Sequence, residues 1–219
     1  FELFPYKDQA IKELIFKTYK EASKWNFEGP EPNIFSLTEK KITEEQSYAI
    51  EEFINKYKIK KTDISCIGFH GLTVLHRPID SNNQVGKTRQ LGNGQMMSDY
   101  LQLPVVNNFR SNDIEHGGQG APLAPIYHLA LAKYIKEKDI VFLNIGGVSN
   151  ITHVGNKYEL IALDCGPGNA PIDDFVRYHN KGLMDKDGKF AKLGNVNYDL
   201  LNEFMENDFF NLSYPKSLD

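Results

Sequence analysis

Cysteine is scarce in this sequence, which has only Cys66 and Cys165 among its 219 residues. Two cysteines this far apart form neither the disulfide framework of a small secreted domain nor a multi-ligand zinc site. Long apolar runs are also absent, because none approaches the roughly 20 residues that a membrane-spanning helix needs. We therefore expect a cytoplasmic protein without a membrane partner.

An excess of positive charge is absent as well. The 25 Lys and Arg residues are outnumbered by 29 Asp and Glu residues, which gives a net charge of −4. A nucleic-acid-binding domain usually has a basic surface, so we expect no nucleic-acid partner. The hydrophobic share of 41% and the charged share of 25% are typical of a folded globular chain.

Three catalytic patterns are missing from the sequence. There is no GxSxG nucleophile elbow, no glycine-lysine loop of the Walker type and no HExxH zinc motif. The histidines also lack the spacing of a metal site. We therefore expect neither serine-hydrolase chemistry nor a metal held by protein side chains alone.

Helix and strand signals alternate along the chain and predict an α/β fold. Apolar residues at helical spacing predict a helix over residues 7–22, and the capping box of Thr43 and Gln46 predicts that a second helix begins there and runs to Tyr57. The remaining predicted helices cover residues 95–101, 124–135 and 198–206, and a further helix is predicted after the glycine-rich turn at Gly166 and to run through Tyr178. In the last of them, four apolar residues are expected to point inward: Leu200, Leu201, Phe204 and Met205.

Short apolar runs predict strands over residues 64–69, 85–91 and 105–106. Three further runs, over residues 140–145, 151–154 and 158–163, predict an antiparallel meander. The segment HGGQGAP, residues 116–122, is predicted to be irregular, because its three glycines weaken regular structure and its proline removes a backbone donor.

Glycine turns follow strand ends at three places: His70-Gly71, Gly146-Gly147 and Gly166-Pro167-Gly168. Glycine lets a ligand approach backbone N–H groups closely, and phosphate is the obvious ligand. Tight turns use glycine for purely structural reasons too. Three such turns together favour a ligand site, because α/β proteins place their sites in loops at strand ends.

Asp164 follows the apolar run LIAL, so its carboxylate is expected at the edge of a sheet. A carboxylate ionised at neutral pH can act as a general base toward water or a sugar hydroxyl. It could instead cap the following turn. Asp173 and Asp174 are expected in the first turn of the next helix, where carboxylates are favoured for structural reasons.

Polar residues in two other segments are candidate ligand contacts. Arg110 and Asp113, in NFRSND, could hold a carboxylate or a hydroxyl-rich sugar, or could pair with each other. His70, Thr73 and His76, in HGLTVLH, could each hydrogen-bond a sugar, although single histidines are usually structural.

Several ordered strings resemble the anhydro-N-acetylmuramic acid kinase family along nearly the whole chain: IGFHGLTVLHRP, TRQLGNG, NNFRSND, HGGQGAPLAP, FLNIGGVSNIT, ALDCGPGNAPIDDF, MDKDGKFAKLG and YPKS. The resemblance implies a two-lobed, actin-like kinase fold that binds ATP between its lobes. It also implies that water opens a 1,6-anhydro sugar ring while the freed 6-oxygen is phosphorylated.

This resemblance assigns roles to individual residues. The family's base lies in the D-x-GPGN motif, which gives Asp164 that role, and the meander around Gly146 resembles a phosphate hairpin. Gly146, Gly147, Gly166 and Gly168 are then expected nucleotide contacts, with ATP and Mg²⁺ as cofactors. The expected sugar contacts are His70, Thr73, Arg110, Asp113 and Asn169. A homodimer is a further expectation.

The sequence also departs from the family pattern. The family's first phosphate loop, of the kind SGTS-x-DG, is absent, and we expect sequence to be missing at both ends. Leu72 replaces a usual glutamine, which removes one possible sugar contact, and Asn93 replaces a usual aspartate. We expect a first lobe over residues 1–137 and a second lobe from residue 138 to 219.

Two other functions stay open at this point. A glycosidase could use Asp164 with Asp173 or Asp174 as paired carboxylates, which would need a separation of about 5–9.5 Å. A remnant of the kinase family could bind the sugar without turnover.

Overall fold

The structure, a computed structural model, describes residues 2–6, 8–77, 86–214 and 216. Backbone contacts divide the chain into two units, Phe1–Ala121 and Pro122–Asp219. Both units mix helices with small sheets, so the predicted α/β class is confirmed. The predicted lobe boundary at residues 137 and 138 concerns the whole protein and stays a prediction.

The first unit contains four helices and four strands in its described part. In chain order they are α1 (Gln9–Trp25), α2 (Ile34–Lys56), β1 (Ile67–Phe69), β2 (Leu72–Arg77), β3 (Lys87–Leu91), α3 (Gly94–Leu101), β4 (Val105–Asn107) and α4 (Ser111–Glu115), with a 3-10 helix at Lys61–Asp63. Strands β1 and β4 pair in parallel, and β2 and β3 form an antiparallel pair. The predicted strand over residues 85–91 is therefore β3, although Val85 lies outside the described residues.

Two apolar clusters hold this unit together. The first lies under the β2–β3 pair and consists of Ala22, Phe35, Val74, Leu75 and Leu91. The second joins α2, α3 and the β1–β4 pair through Ile54, Phe69, Met97, Leu101 and Leu103. Leu72 packs against the first cluster, so its side chain and that of its neighbour Thr73 leave β2 on opposite faces.

The start of α2 differs from the prediction. The helix begins at Ile34, and Thr43 lies well inside it, so the interpretation of Thr43 and Gln46 as a capping box is wrong. The Thr43 hydroxyl donates to the Glu39 carbonyl at 2.7 Å and accepts from the Asn93 N–H at 3.0 Å. These two bonds satisfy the buried hydroxyl of Thr43 inside the helix. The sequence suggested a cap because threonine is common at helix starts.

Asn93 has a structural role of its own. It is the N-cap of α3, and its side-chain oxygen accepts from the Met96 N–H at 2.9 Å. Asparagine and aspartate cap helices about equally well. Asparagine at this position therefore preserves the cap.

The second unit is built on the predicted meander. Its elements are α5 (Ala124–Ile135), β5 (Ile140–Ile145), β6 (Val148–Val154), β7 (Leu160–Pro167), α6 (Ala170–Tyr178) and α7 (Tyr198–Met205), with 3-10 helices at Lys186–Gly188, Ala191–Leu193 and Asp208–Asn211. The strands are antiparallel in the order β5-β6-β7. Helix α5 contacts one face, where His128 stacks on Phe142 with ring centroids 4.6 Å apart and bonds to Thr152 at 2.9 Å.

Apolar side chains remain exposed in this second unit. Val141, Leu143 and Ile145 alternate along β5 and are 53%, 59% and 58% exposed. The four apolar residues of the last helix, Leu200, Leu201, Phe204 and Met205, are 45% to 64% exposed. The expectation that they point inward is therefore wrong for this chain, because no described element covers that side of α7.

Candidate functional site

The predicted site residues fall into two groups, one in each unit. His70, Thr73, Arg110 and Asp113 belong to the first unit. The second unit holds the remaining predicted residues, which are Gly146, Gly147, Asp164, Gly166, Gly168 and Asn169.

Arg110 and Asp113 hold the glycine-rich segment 116–122 in place. The Arg110 Nη1 donates to the Gly120 carbonyl at 2.7 Å, and the Gly120 N–H donates to Asp113 Oδ2, also at 2.7 Å. The Asp113 carbonyl accepts from the Gly118 N–H at 2.7 Å. The two charged side chains therefore fix the conformation of this loop, and an Arg110–Asp113 ion pair is absent from the described part of the chain.

Glycine is required at position 120. Its φ is +68°, and a Cβ there would lie 2.8 Å from Cγ1 of Ile114 and 3.2 Å from Cε1 of His76. Both the positive φ and the close approach of Ile114 disfavour a larger residue. The segment is thus a tightly packed loop and lacks regular structure, as predicted.

His70 is attached to the same arginine. The Arg110 Nη2 lies 3.0 Å from Nε2 of His70, and an arginine N–H can only donate. Nε2 is therefore the acceptor, so Nδ1 carries the proton and donates to the Gly71 carbonyl at 3.1 Å. Burial lowers the pKa of the Arg110 guanidinium from its usual value, and its Nε atom is buried without a hydrogen-bond partner among the described residues.

Thr73 lies on the polar face of the β2–β3 pair. It is directly opposite Gln90, and His76 is directly opposite Thr88. Gln90 Nε2 donates to Thr88 Oγ1 at 2.6 Å, and Thr88 Oγ1 lies 3.0 Å from His76 Nδ1. Because His76 Cε1 would lie 3.2 Å from a Cβ added at Gly120, this polar row borders the loop that Arg110 and Asp113 hold. The structure therefore brings all four predicted residues of the first unit into one connected region.

Gln90 was not predicted as a site residue. It lies in the string TRQLGNG, where Thr88 and Gln90 alternate with Arg89 and Leu91, so the pattern of a strand with one polar face was available. Its position opposite Thr73 depends on strand pairing, and no single strand reveals that.

The two glycine turns of the second unit are bonded to each other. The Gly168 N–H donates to the Gly147 carbonyl at 2.9 Å, and the Asn169 N–H donates to the Gly146 carbonyl at 2.6 Å. A Cβ at Gly168 would lie 2.2 Å from the Gly146 oxygen. A side chain at position 168 would therefore push the two turns apart. The Gly168 N–H already donates its hydrogen bond within this contact.

Asp164 lies inside β7, next to a β-bulge. It pairs with Asn150 of β6, while Gly166 pairs with Ser149, so Cys165 is the extra residue. Bulges are common near active sites, where they redirect side chains. Asn150 also pairs with Asn144 of β5. Directly opposite residues share a face of the sheet, so Asn144, Asn150 and Asp164 form a polar row on one face.

The other two aspartates of this segment have structural surroundings. Asp174 forms an ion pair with Arg177 at 2.5 Å, and Asp173 lies in the first turn of α6. The ion pair and the position in the first turn are each a sufficient structural reason for an aspartate, so neither residue requires a catalytic role.

Metal binding by protein side chains alone has no support in the described residues, where no group of three or more His, Cys, Asp or Glu side chains could hold an ion. His153 bonds to Asp139 at 2.8 Å, and His128 bonds to Thr152.

Among the described residues, every helix is too short or too polar to traverse a lipid bilayer.

Comparison with known proteins identifies the family. The model of the family described as "Anhydro-N-acetylmuramic acid kinase" matches residues 30–219. The chain belongs to the anhydro-N-acetylmuramic acid kinase family. The match covers both groups of candidate site residues.

Curated members of the anhydro-N-acetylmuramic acid kinase family align with the whole chain. The kinase of Rhizobium rhizogenes is 43% identical over 220 residues, which is 100% of this chain and 59% of that protein. The kinase of Brucella anthropi is 44% identical over the same shares of both chains. Anhydro-N-acetylmuramic acid kinase 2 of a Jannaschia species is 44% identical over 99% of this chain and 57% of its own length. The chain thus spans less than two thirds of these relatives.

Proposed function

We propose that the complete protein is an ATP-dependent kinase that opens 1,6-anhydro-N-acetylmuramic acid with water and phosphorylates it to N-acetylmuramic acid 6-phosphate. The observation that carries this proposal is the family match, which spans residues 30–219 and so includes both residue groups. The proposed reaction belongs to the recycling of cell-wall sugars.

Asp164 is the proposed general base. Its carboxylate takes a proton from a water molecule whose oxygen forms a bond to the anomeric carbon. The bond between that carbon and the bridging 6-oxygen breaks, and the freed 6-oxygen receives the phosphoryl group that ATP supplies. The β-bulge after Asp164 and the polar row with Asn150 support this role, because they give the carboxylate a defined position on the strand.

The sugar is the proposed ligand of the first unit. Arg110 retains an unpaired buried Nε–H, and Thr73 retains an unpaired buried hydroxyl among the described residues. Buried polar atoms are normally hydrogen-bonded, so both atoms fit contacts to a polar ligand. His70 and Asp113 then act mainly by orienting Arg110 and the loop. Asn169, whose Nδ2 donates to the Ile145 carbonyl at 3.3 Å, is a proposed sugar contact from the second unit.

Nucleotide phosphates are the proposed ligands of the Gly146-Gly147 turn. Gly147 is exposed, and a Cβ at Gly146 would meet no atom closer than 3.5 Å, so the turn has room for a ligand beside its backbone. Gly166 and Gly168 stay predicted nucleotide contacts, and the Gly168 N–H donates to the Gly147 carbonyl. Mg²⁺ usually binds through phosphates, water and only one or two carboxylates, so the proposed Mg²⁺ ion does not need a group of three acidic side chains.

The proposal extends to the fold and the setting of the complete protein. We propose an actin-like kinase with two lobes, the first ending near residue 137, in the cytoplasm, with a homodimer as its assembly. The mixed α/β architecture is compatible with such a fold.

The decisive experiment measures ADP release by the complete protein with Mg·ATP and 1,6-anhydro-N-acetylmuramic acid. Reaction in ¹⁸O-labelled water should place the label on the anomeric carbon of the product. N-acetylmuramic acid, which has a free 6-hydroxyl and needs no ring opening, is the matched control substrate. Activity on another hydroxyl acceptor without activity on the anhydro sugar would refute the proposal.

A further inference from the structure

The polar face of the β2–β3 pair is enclosed, which is unusual for the polar side of a two-stranded sheet. Its other face packs on the apolar cluster around Phe35 and Leu91. The polar side should therefore be the solvated one. Gln90 is nevertheless only 9% exposed, and its Oε1 atom is fully buried.

The orientation of the Gln90 amide is fixed. Its Nε2 donates to Thr88 Oγ1 at 2.6 Å, and Thr88 is in turn bonded to His76. With the amide nitrogen held, Oε1 can only point away from Thr88. It has no hydrogen-bond partner among the described residues, and neither has Oγ1 of Thr73 directly across the strand pair.

Two unpaired buried polar atoms on opposing residues require an explanation, because native proteins rarely leave such atoms unsatisfied. An amide oxygen only accepts hydrogen bonds, whereas a threonine hydroxyl both donates and accepts. The matching ligand group is therefore a neutral one with a hydrogen to donate, such as a sugar hydroxyl or an amide N–H. A carboxylate or a phosphate would place negative charge against the Gln90 oxygen.

We infer that Gln90, together with Thr73, binds the sugar and accepts a hydrogen bond from one of its hydroxyl or acetamido N–H groups. This inference rests on the proposed function. The subsite adjoins the loop that Arg110 holds, and Arg110 Nε offers an unpaired donor in the same connected region. Gln90 supplies the acceptor and Arg110 the donor, so the region selects a ligand that carries both kinds of group.

The test uses the complete protein and isothermal titration calorimetry with 1,6-anhydro-N-acetylmuramic acid. Gln90→Leu should weaken sugar binding about 5- to 100-fold, because the donor on the sugar loses its buried acceptor. The melting temperature should change little, because removal of the unsatisfied Oε1 atom offsets the loss of the hydrogen bond from Nε2 to Thr88. Gln90→Met and Thr73→Val should weaken binding in the same range.

Thr38→Val is the matched control. Thr38 is fully buried, and its hydroxyl bonds to Thr18 at 2.7 Å and to the Ile34 carbonyl at 2.9 Å. Its replacement should lower the melting temperature without changing sugar affinity, which is the opposite pattern. Sugar analogues that each lack one hydroxyl or the acetamido N–H identify the group bound: deleting that group should weaken binding to the wild type and not to Gln90→Leu.

Three outcomes separate the hypotheses. Equal sugar affinity of the wild type and of all three site variants would overturn the inference and leave the proposed function intact. Unchanged sugar affinity of Gln90→Leu together with a lower melting temperature would show that Gln90 has only a structural role, and would also overturn the inference. If the wild type itself binds no anhydro sugar, the proposed function fails and the inference fails with it.

Discussion

Arg110 and Asp113 bind the same residue, Gly120, the first through its carbonyl and the second through its N–H, each at 2.7 Å. The backbone N–H and the carbonyl of one buried residue are thus held by opposite charges from one short segment. This arrangement makes the loop at residues 116–122 part of the packed structure of the first unit, and it explains why its glycines cannot be exchanged freely.

Gly120→Ala should destabilise the complete protein more than Gly117→Ala. Both glycines have positive φ, +68° and +83°, so alanine at either position should cost about 1–2 kcal/mol in backbone strain. A Cβ at Gly117 meets no atom within 4 Å, whereas one at Gly120 meets Ile114 at 2.8 Å. Overpacking should add about 1–3 kcal/mol at Gly120. Urea unfolding of both variants measures the difference, and equal losses would show that the loop yields to the added methyl group.

Asp164→Asn separates catalysis from capping. If Asp164 is the base, kcat should fall about 10²- to 10⁴-fold, while sugar affinity changes much less. If it is only a cap, stability should fall by roughly 1 kcal/mol or less and kcat should stay near normal, because asparagine also caps well. Thermal unfolding measured beside kcat distinguishes the two cases.

Asp174→Asn is the control for that experiment. Asp174 is exposed and pairs with Arg177, and exposed ion pairs contribute only about 0–1 kcal/mol. This variant should keep both its kcat and its stability. A loss of activity as large as that of Asp164→Asn would revive the hypothesis of two catalytic carboxylates.

The sequence predicted the three-stranded meander of the second unit, and it predicted two regular elements to their exact bounds, whereas β6 begins before its predicted start and β7 ends after its predicted end. The helix at Ala124–Ile135 and the strand at Ile140–Ile145 have the predicted bounds. Their apolar periodicity is uninterrupted, and such patterns depend only on neighbours in sequence.

The first unit was harder to predict because long-range contacts decide it. Strand β2 was missed: a bulge at Val74 places two consecutive residues, Val74 and Leu75, in one apolar cluster and breaks the period of two.

The sequence suggested which residue types belong to the candidate site. It did not predict that Arg110 and Asp113 both bind the buried residue Gly120, because the fold of the loop brings Gly120 to them and no local pattern indicates that contact.

Gly168→Ala should separate the two glycine turns of the second unit. Its Cβ would lie 2.2 Å from the Gly146 oxygen and 2.9 Å from Ser149 Oγ, and the first of these is a backbone atom that cannot rotate away. We expect a loss of about 1–3 kcal/mol in unfolding free energy. Gly147→Ala, whose Cβ would meet nothing closer than 3.6 Å, should lose less. Denaturant titration compares the two, and a smaller loss at Gly168 would contradict the close contact.

The phenol of Tyr100 should lose its proton at an unusually high pH. Its hydroxyl donates to the Glu51 carboxylate at 2.5 Å, and this hydrogen bond raises the pKa of Tyr100 from 10.0 to about 12. Because the folded-state pKa is the higher one, the stabilisation is complete below pH 10 and is lost as pH rises from 10 to 12. The difference in ultraviolet titration between the wild type and Tyr100→Phe isolates this phenol. In Glu51→Gln its midpoint should move toward 10.0, and an unchanged midpoint would exclude Glu51 as the cause.

The bonds between the Gly146-Gly147 turn and residues Gly168 and Asn169 also restrict motion. Because Asn169 is the N-cap of α6 and Gly168 directly follows β7, the hairpin turn cannot shift without carrying the end of one strand and the start of one helix with it. A displacement of the Gly146-Gly147 turn would therefore also displace the backbone that leads to Asp164, four residues before Gly168. We expect the two turns to move together.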